Sequence, residues 1–421
     1  MSRWVVFLTA LLSVAVGAAF AASATESVTL TFMNSQNTVA SQWEEEIAAI
    51  FVAENPGVNV EFVNVANLEQ YRDRLLTAFV GGSAPDVVMV HSWDVAAYRN
   101  IGMLMSLTPF IERDEQVDFH GDIIPALQDI YNIDGDVLAI PYTFAPVAYM
   151  FYNKDHFAES GLGTPDPNWS FEEFLEQMRR LRRFDGNQIV RYGTYSYHPN
   201  NWLYSWGGTL TDDWRNPTEI TFDSPEAREG LEAYVSLFTE HQVAPPFVSY
   251  TTSFMSGLIS TVYTGLWASS VFGGAGFDWD VTLPPVGKGV GRGYEVAARG
   301  YGVTTTTKHP ELAYKFAAFL SYDRRAQEIR LISVDGKTQS EIPSRISLAT
   351  GDLFATSPYL PESKDLIMNV ADYVWTLPRH PEGLTFFQLV ARAANEAIRG
   401  TDSLENALTR AAQEARGAFR R

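Results

Sequence analysis

The sequence predicts an α/β fold in two lobes, on three observations. From Val28 onward, apolar runs with strand spacing alternate with apolar stripes at helical spacing. The strand runs are almost continuously apolar, as strands covered on both faces are. About 400 residues follow the N-terminal apolar stretch, too many for one small core. Mainly parallel sheets flanked by helices are expected, with ligand bound beyond the carboxyl ends of the strands.

The chain opens with Arg3 and an apolar stretch over residues 5–20. It ends in Ala19-Phe20-Ala21 and Ala22-Ser23-Ala24, both small-x-small cleavage sites, so residues 1–24 read as a cleaved signal peptide. The sequence has no cysteine. That excludes disulfides, thiolate metal sites, a cysteine nucleophile and lipid attachment at a cysteine. The expected product is periplasmic, soluble and unlipidated. The formal net charge is −19, and removing Arg3 leaves 30 basic against 50 acidic residues, or −20. Such a balance argues against nucleic acid or an anionic membrane as partner. The 10 Trp and 19 Tyr exceed what a core requires, and some are expected to line a groove.

Residues 28–32 form the first predicted strand, followed by a polar loop from Asn34 to Asn37. Ser41 and Glu44 have capping-box spacing. Trp43, Ile47, Ile50 and Phe51 make a helical face that Asn55-Pro56-Gly57 ends. Val58, Val60 and Phe62 alternate as a second strand, and Tyr71, Leu75, Leu76 and Phe79 form a second helical face. Pro85-Asp86-Val87-Val88-Met89-Val90 reads as a third, buried strand. The loops at Asn34-Ser35-Gln36 and His91-Ser92-Trp93-Asp94 then lie where ligands bind.

Val147-Ala148-Tyr149-Met150-Phe151-Tyr152 is a buried strand, preceded by Ile140-Pro141-Tyr142, where Pro141 requires a strand edge, end or turn. Ser170 and Glu173 form a capping box, with Trp169 and Phe174 as its hydrophobic staple. Phe171, Phe174, Leu175, Met178 and Leu181 share one face of that helix, and four arginines from Arg179 to Arg183 suit its end. Residues 191–294 are rich in Trp, Tyr and Gly; Trp206 precedes Gly207-Gly208, and Trp267 follows Gly265-Leu266. Ser224-Pro225-Glu226 starts a helix, and a second apolar helix is predicted over residues 254–262. The glycines from 273 to 293 complete neither GxGxxG nor a P-loop and read as turns. Pro310 suits a helix's first position. Leu404, Ala407, Leu408, Ala411 and Ala415 share a face of the C-terminal helix.

Four local matches, in this order and spacing, resemble the family 1 extracellular solute-binding proteins. This is the maltose-binding-protein-like periplasmic component of ABC importers. The first match is Phe51-Val52-Ala53-Glu54-Asn55-Pro56-Gly57-Val58-Asn59-Val60, and the second surrounds Pro85-Asp86-Val87. The third is Ile140-Pro141-Tyr142, then Tyr152-Asn153-Lys154-Asp155, then Trp169-Ser170-Phe171-Glu172-Glu173-Phe174. The fourth is Leu283-Pro284-Pro285-Val286-Gly287, then Gly300-Tyr301-Gly302, then His309-Pro310-Glu311-Leu312-Ala313. The resemblance implies three crossings between lobes, near residues 140–148, 297–302 and 333–343. The N-terminal lobe would hold residues 25–141 plus 300–335, and the C-terminal lobe residues 142–299 plus 336–421. It further implies a monomer without cofactor, whose ligand binds in the cleft. Its closed form would be read by the permease subunits of an ABC importer.

A sugar or oligosaccharide is the leading ligand. Sugar rings offer apolar faces to aromatic side chains and hydroxyl edges to planar hydrogen-bonding groups. Trp93, Tyr142, Trp202, Trp206, Trp267 and Tyr301 are the stacking candidates; Asn34, Asp94, Asn201 and Arg299 are the polar ones. Core packing is the competing role for each ring. Trp43 and Trp169 are assigned to helix packing, Asp86 to a structural motif, and His91 to a satisfied loop position without a second His nearby. No catalytic or metal residue is predicted, since GxSxG, HExxH and Ser-x-x-Lys signatures are absent. A secreted glycosidase is the alternative from another class, because 50 acidic residues always supply a pair. A third reading keeps the fold and places a sugar phosphate or uronate on Arg299, Arg345 and Lys288.

Overall fold

The computed structural model describes residues 27–35, 38–196, 198–288, 291–331, 342–357 and 360–420. The expected signal peptide and most of the expected third crossing lie outside these residues. The first lobe begins with β1 (Val28–Asn34), α1 (Thr38–Glu54), β2 (Val58–Asn64), α2 (Leu68–Val80), β3 (Val87–His91) and, after short helices, β4 (Ile140–Phe144). The chain then passes through β5 (Pro146–Val147) into the second lobe. There it forms β6 (Tyr149–Asn153), α3 (Phe171–Leu181), β7 (Arg183–Asp185), β8 (Gln188–Ser196), α4 (Pro199–Ser205), α5 (Tyr250–Met255), β9 (Ile259–Thr264) and β10 (Trp279–Thr282). It returns through β11 (Tyr294–Val296) to β12 (Arg299–Val303), α6 (Pro310–Tyr322), α7 (Arg324–Leu331) and β13 (Ile342–Pro343). β14 (Val374–Trp375), α8 (Gly383–Arg399) and α9 (Leu404–Phe419) follow.

The first sheet has the order β13-β4-β12-β3-β1-β2 and the second β10-β6-β9-β8-β7. The crossing strands β5 and β11 join β14 in a three-stranded ribbon. Within the two large sheets only β1–β2, β1–β3 and β8–β9 pair in parallel. Strands entering a lobe from a crossing, such as β12 and β6, run antiparallel to their neighbours. They start at the edge where the other strands end, so the sheets are mixed rather than mainly parallel.

The pairing also moves the crossings. Residues 140–144 are still first-lobe sheet, because β4 pairs with β12. Arg299 already belongs to that sheet, opposite His91. Ile342 and Pro343 pair with Phe144 and Thr143, and Arg345 bonds Asp122, so the chain remains in the first lobe there. By Ser363, whose amide and hydroxyl both donate to Asp280, it lies on the second lobe. The chain therefore passes to the second lobe between Arg345 and Ser363.

Local signals explain most elements. Ser170 and Glu173 close the expected capping box, and Phe174, Leu175, Met178 and Leu181 are buried. The Trp169 ring meets Phe174 edge-on. Asp86 accepts from Thr31 N and Oγ and from Thr307 Oγ, tying β1 to the chain after β12. Two expectations fail. Ser41 lies inside α1, which starts at Thr38, and so is not its N-cap; Glu44 instead forms a buried pair with Arg330 at 2.7 Å. Residues 254–262 are not one helix, because Gly257 (φ +73) ends α5 and β-branched Ile259, Thr261 and Val262 continue as β9.

Candidate functional site

The register sets two edges against each other. In the first lobe, β1, β2 and β3 end at Asn34, Asn64 and His91, where β12 begins at Arg299 and β4 reaches Thr143. In the second lobe, β8 and β9 end at Ser196 and Thr264, beside Tyr149 at the start of β6 and Thr282 at the end of β10. Both described crossings leave one of these edges and enter the other, so the edges face across a cleft.

The first-lobe edge is built by the turn after β3. Ser92 donates from Oγ to the Val296 carbonyl and from N to the Ala298 carbonyl, both at 2.9 Å, anchoring the turn on the second crossing. The Trp93 ring, half-buried, lies 4.2 Å from the His91 ring and 5.7 Å from Phe387 of α8. Phe387 belongs to the second lobe, since Asn200 of α4 donates to its carbonyl, so this contact spans the cleft. Asp94 accepts from Arg72 Nε at 2.8 Å. Burial raises the Asp94 carboxyl above its ordinary range, against the Arg72 charge. Burial likewise holds His91 well below the usual histidine value, helped by the Arg72 and Arg299 charges. Asn34 is fully buried, and neither Nδ2 nor Oδ1 of its side chain has a hydrogen-bond partner. Arg299 is half-buried at the start of β12, 5.8 Å from the Tyr142 ring centre.

The second-lobe edge carries Trp267 in a single 3-10 turn just past β9. The Trp267 ring is half-buried and lies against Gly265, where a Cβ would run into it. The other aromatic candidates are core. Trp202 and Trp206 are 2% and 4% exposed, stack 5.5 Å apart, and both meet Phe171 edge-on. Tyr142 and Tyr301 are buried and stack on each other 5.0 Å apart, with the Arg330 guanidinium 4.4 Å from the Tyr142 ring. These four rings are buried and already have ring partners, so core packing takes the place of the ligand stacking expected of them. Asn201 is a clamp: Nδ2 donates to Val147 O at 3.0 Å, and Oδ1 accepts from Glu295 N and Trp375 Nε1. It ties α4 to all three ribbon strands.

The structure thus brings Asn34, Trp93, Asp94 and Arg299 to one edge and Trp267 to the other. Phe387 and Arg72 were missed. Phe386 sits on the buried stripe of α8, which leaves Phe387 off it; an aromatic beside an amphipathic stripe was the available signal. Arg72 had none, because its role depends on Asp94 folding onto it. Arg345 and Lys288, candidates for an anion, are used elsewhere: Arg345 bonds Asp122, and Lys288 pairs with Glu229 on the surface.

Residues 34–323 match the family described as bacterial extracellular solute-binding protein. The chain belongs to this family. Among its relatives, this solute-binding protein is 21% identical over 350 residues to the galactooligosaccharide-binding protein of Bacillus subtilis, covering 80% of this chain and 77% of that one. It is 24% identical over 274 residues to the arabinooligosaccharide-binding protein of Halalkalibacterium halodurans, covering 62% and 60%. Its fold matches an ABC substrate-binding protein of Listeria monocytogenes solved with cycloalternan, at a TM-score of 0.80 and 24% identity, over 92% of this chain and 98% of that one. It also matches a maltose-bound T. maritima protein at a TM-score of 0.77 and 19% identity, over 93% and 100%. These likenesses show the two-lobe fold. Among the described residues no group of three or more His, Asp or Glu could hold a metal, and no helix is long and apolar enough to cross a membrane.

Proposed function

We propose that this solute-binding protein captures a sugar or oligosaccharide in its interlobe cleft and delivers it to the permease of an ABC importer. The observation that carries the reading is the pair of aromatic surfaces on facing edges. Trp267 stands on the second-lobe edge, and Trp93 meets Phe387 across the cleft. Flat apolar rings beside the polar Asn34, Asp94 and Arg299 match the two kinds of surface a sugar ring presents. The relatives named above are binding proteins rather than enzymes, and two of them carry oligosaccharide binding in their names. The ligand would favour the closed lobes, and the permease would read that form. We further infer a monomer that is exported, cleaved within residues 19–25, and left without a lipid. Mass spectrometry of the exported protein checks the last point, and an intact Met1 end refutes it.

A thermal-shift screen of mono- and oligosaccharides tests the central reading. A ligand that binds only the folded state raises stability by about 2.7 kcal/mol at a hundred times its Kd. At least one sugar should raise the melting temperature in a concentration-dependent way. A flat response across neutral and acidic sugars contradicts the reading.

A further inference from the structure

At the first-lobe edge, two buried donors lack acceptors. Arg72 reaches from α2 and its Nε donates to both oxygens of Asp94, at 2.8 and 3.0 Å. Its Nη2 is shielded from solvent and has no hydrogen-bond partner, and the same holds for Trp93 Nε1. The guanidinium carbon lies 5.7 Å from the Trp93 ring centre, where that ring meets Phe387 across the cleft. A buried donor left unpaired costs about 1–3 kcal/mol. Two such donors side by side on the wall of a binding cleft are poised for the oxygens of a ligand.

The charges around them narrow the ligand's class. The Asp94 side chain is 6% exposed and cancels the Arg72 charge at contact distance. A guanidinium with a fixed carboxylate is oriented but electrically spent. An anion brought to its free side would meet the Asp94 charge in a poorly solvated place. The other ionisable groups here are His91, which burial keeps neutral, Tyr71 and Tyr98, whose hydroxyls burial keeps protonated, and Arg299, which has partners of its own.

We propose that the Arg72–Asp94 pair selects ligand by charge: Arg72 Nη2 and Trp93 Nε1 donate to two oxygens of an uncharged sugar, while Asp94 turns away a uronate or sugar phosphate. This rests on the sugar-binding reading and narrows it.

The test is titration calorimetry on the full chain. The neutral probes are maltotriose, galactotriose and arabinotriose; the acidic probe is trigalacturonate. The wild type should bind at least one neutral probe, and trigalacturonate at least about tenfold more weakly. Arg72→Lys keeps the charge and the pairing with Asp94 but loses the planar fork. It should weaken the neutral probe by about tenfold or more, the effect of one charged hydrogen bond, with melting unchanged. Asp94→Asn frees the Arg72 charge, so the ratio of trigalacturonate to neutral affinity should rise about tenfold or more. A purely structural pair would not move that ratio. Arg72→Lys binding like wild type, or an unchanged ratio in Asp94→Asn, overturns the inference and leaves the sugar reading standing. A wild type that binds no neutral probe overturns both.

Discussion

Replacing Trp267 with alanine should separate binding from folding. Trp267 sits in a one-turn helix past the carboxyl end of β9, half-buried, its indole against Gly265. No other aromatic ring among the described residues packs on it. The ring packs on the core only in part, so on the proposed site truncation should cost more in binding than in folding. Loss of a stacking ring is worth on the order of 1–3 kcal/mol in binding, so the Kd for a sugar should rise about 5- to 150-fold. The stability loss should stay near 1 kcal/mol, since the ring is only partly removed from water. Trp206→Ala should behave in the opposite way. That ring is 4% exposed and wedged between Trp202 and Phe171, so its loss costs roughly 3–5 kcal/mol of stability. Trp43→Ala, also 4% exposed, belongs with Trp206. Titration calorimetry with a sugar from the screen, beside urea unfolding of each variant, decides the matter. A Trp267→Ala protein that binds as tightly as wild type refutes the assignment of the second-lobe wall.

Further outcomes follow from other contacts. Gly265→Ala should weaken sugar binding without touching the ligand, because a Cβ there displaces the Trp267 ring; calorimetry beside a melting control checks it. Asn201→Ala should cost about 3 kcal/mol or more in urea unfolding, since it strands Val147 O, Glu295 N and Trp375 Nε1 in the interior. Glu44→Ala leaves the Arg330 guanidinium buried and unpaired, and should cost roughly 3–5 kcal/mol by the same assay. Acid should destabilise the protein through His156, which burial lowers from 6.5 to about 4. The unfolded chain takes up that proton below pH 6.5 while the folded one resists until about pH 4. Stability is therefore full above 6.5 and lost as pH falls between those values. The ring is only half-buried, so solvent screening trims the loss to roughly 1–2 kcal/mol. His156→Gln should flatten the urea-midpoint profile between pH 7 and pH 5 by that amount.

Much of the fold was legible because its signals are local. The capping box at Ser170, the stripe of α3, and the small residues of α9 from Ala407 to Ala415 each depend on neighbours within a few turns. The same local rule misled at Ser41, because a helix that begins earlier makes a good cap irrelevant. It also misled at residues 254–262, where Gly257 at positive φ outweighs the apolar stripe. Crossing positions were read less well, since strand membership is decided by pairing partners more than 150 residues away, as at Arg299 and His91. The site divided along the same line. Strand order put the ends of β1 and β3 at one edge, where Asn34, Trp93 and Asp94 lie, whereas Trp267 was singled out only as a ring beside glycine, because the strand before it was read as helix. Trp202, Trp206, Tyr142 and Tyr301 look no different in sequence from a cleft aromatic. Only their mutual stacking assigns them to the core.

Hydrogen exchange with and without a bound oligosaccharide shows whether the sugar lies between the lobes. Exchange should slow in two separate stretches at once: residues 91–94 on the first lobe and residues 265–268 on the second. Protection confined to one lobe, or found instead around the surface groove that Phe51 and Glu54 of α1 line with Tyr314 and Phe319 of α6, would contradict an interlobe sugar site.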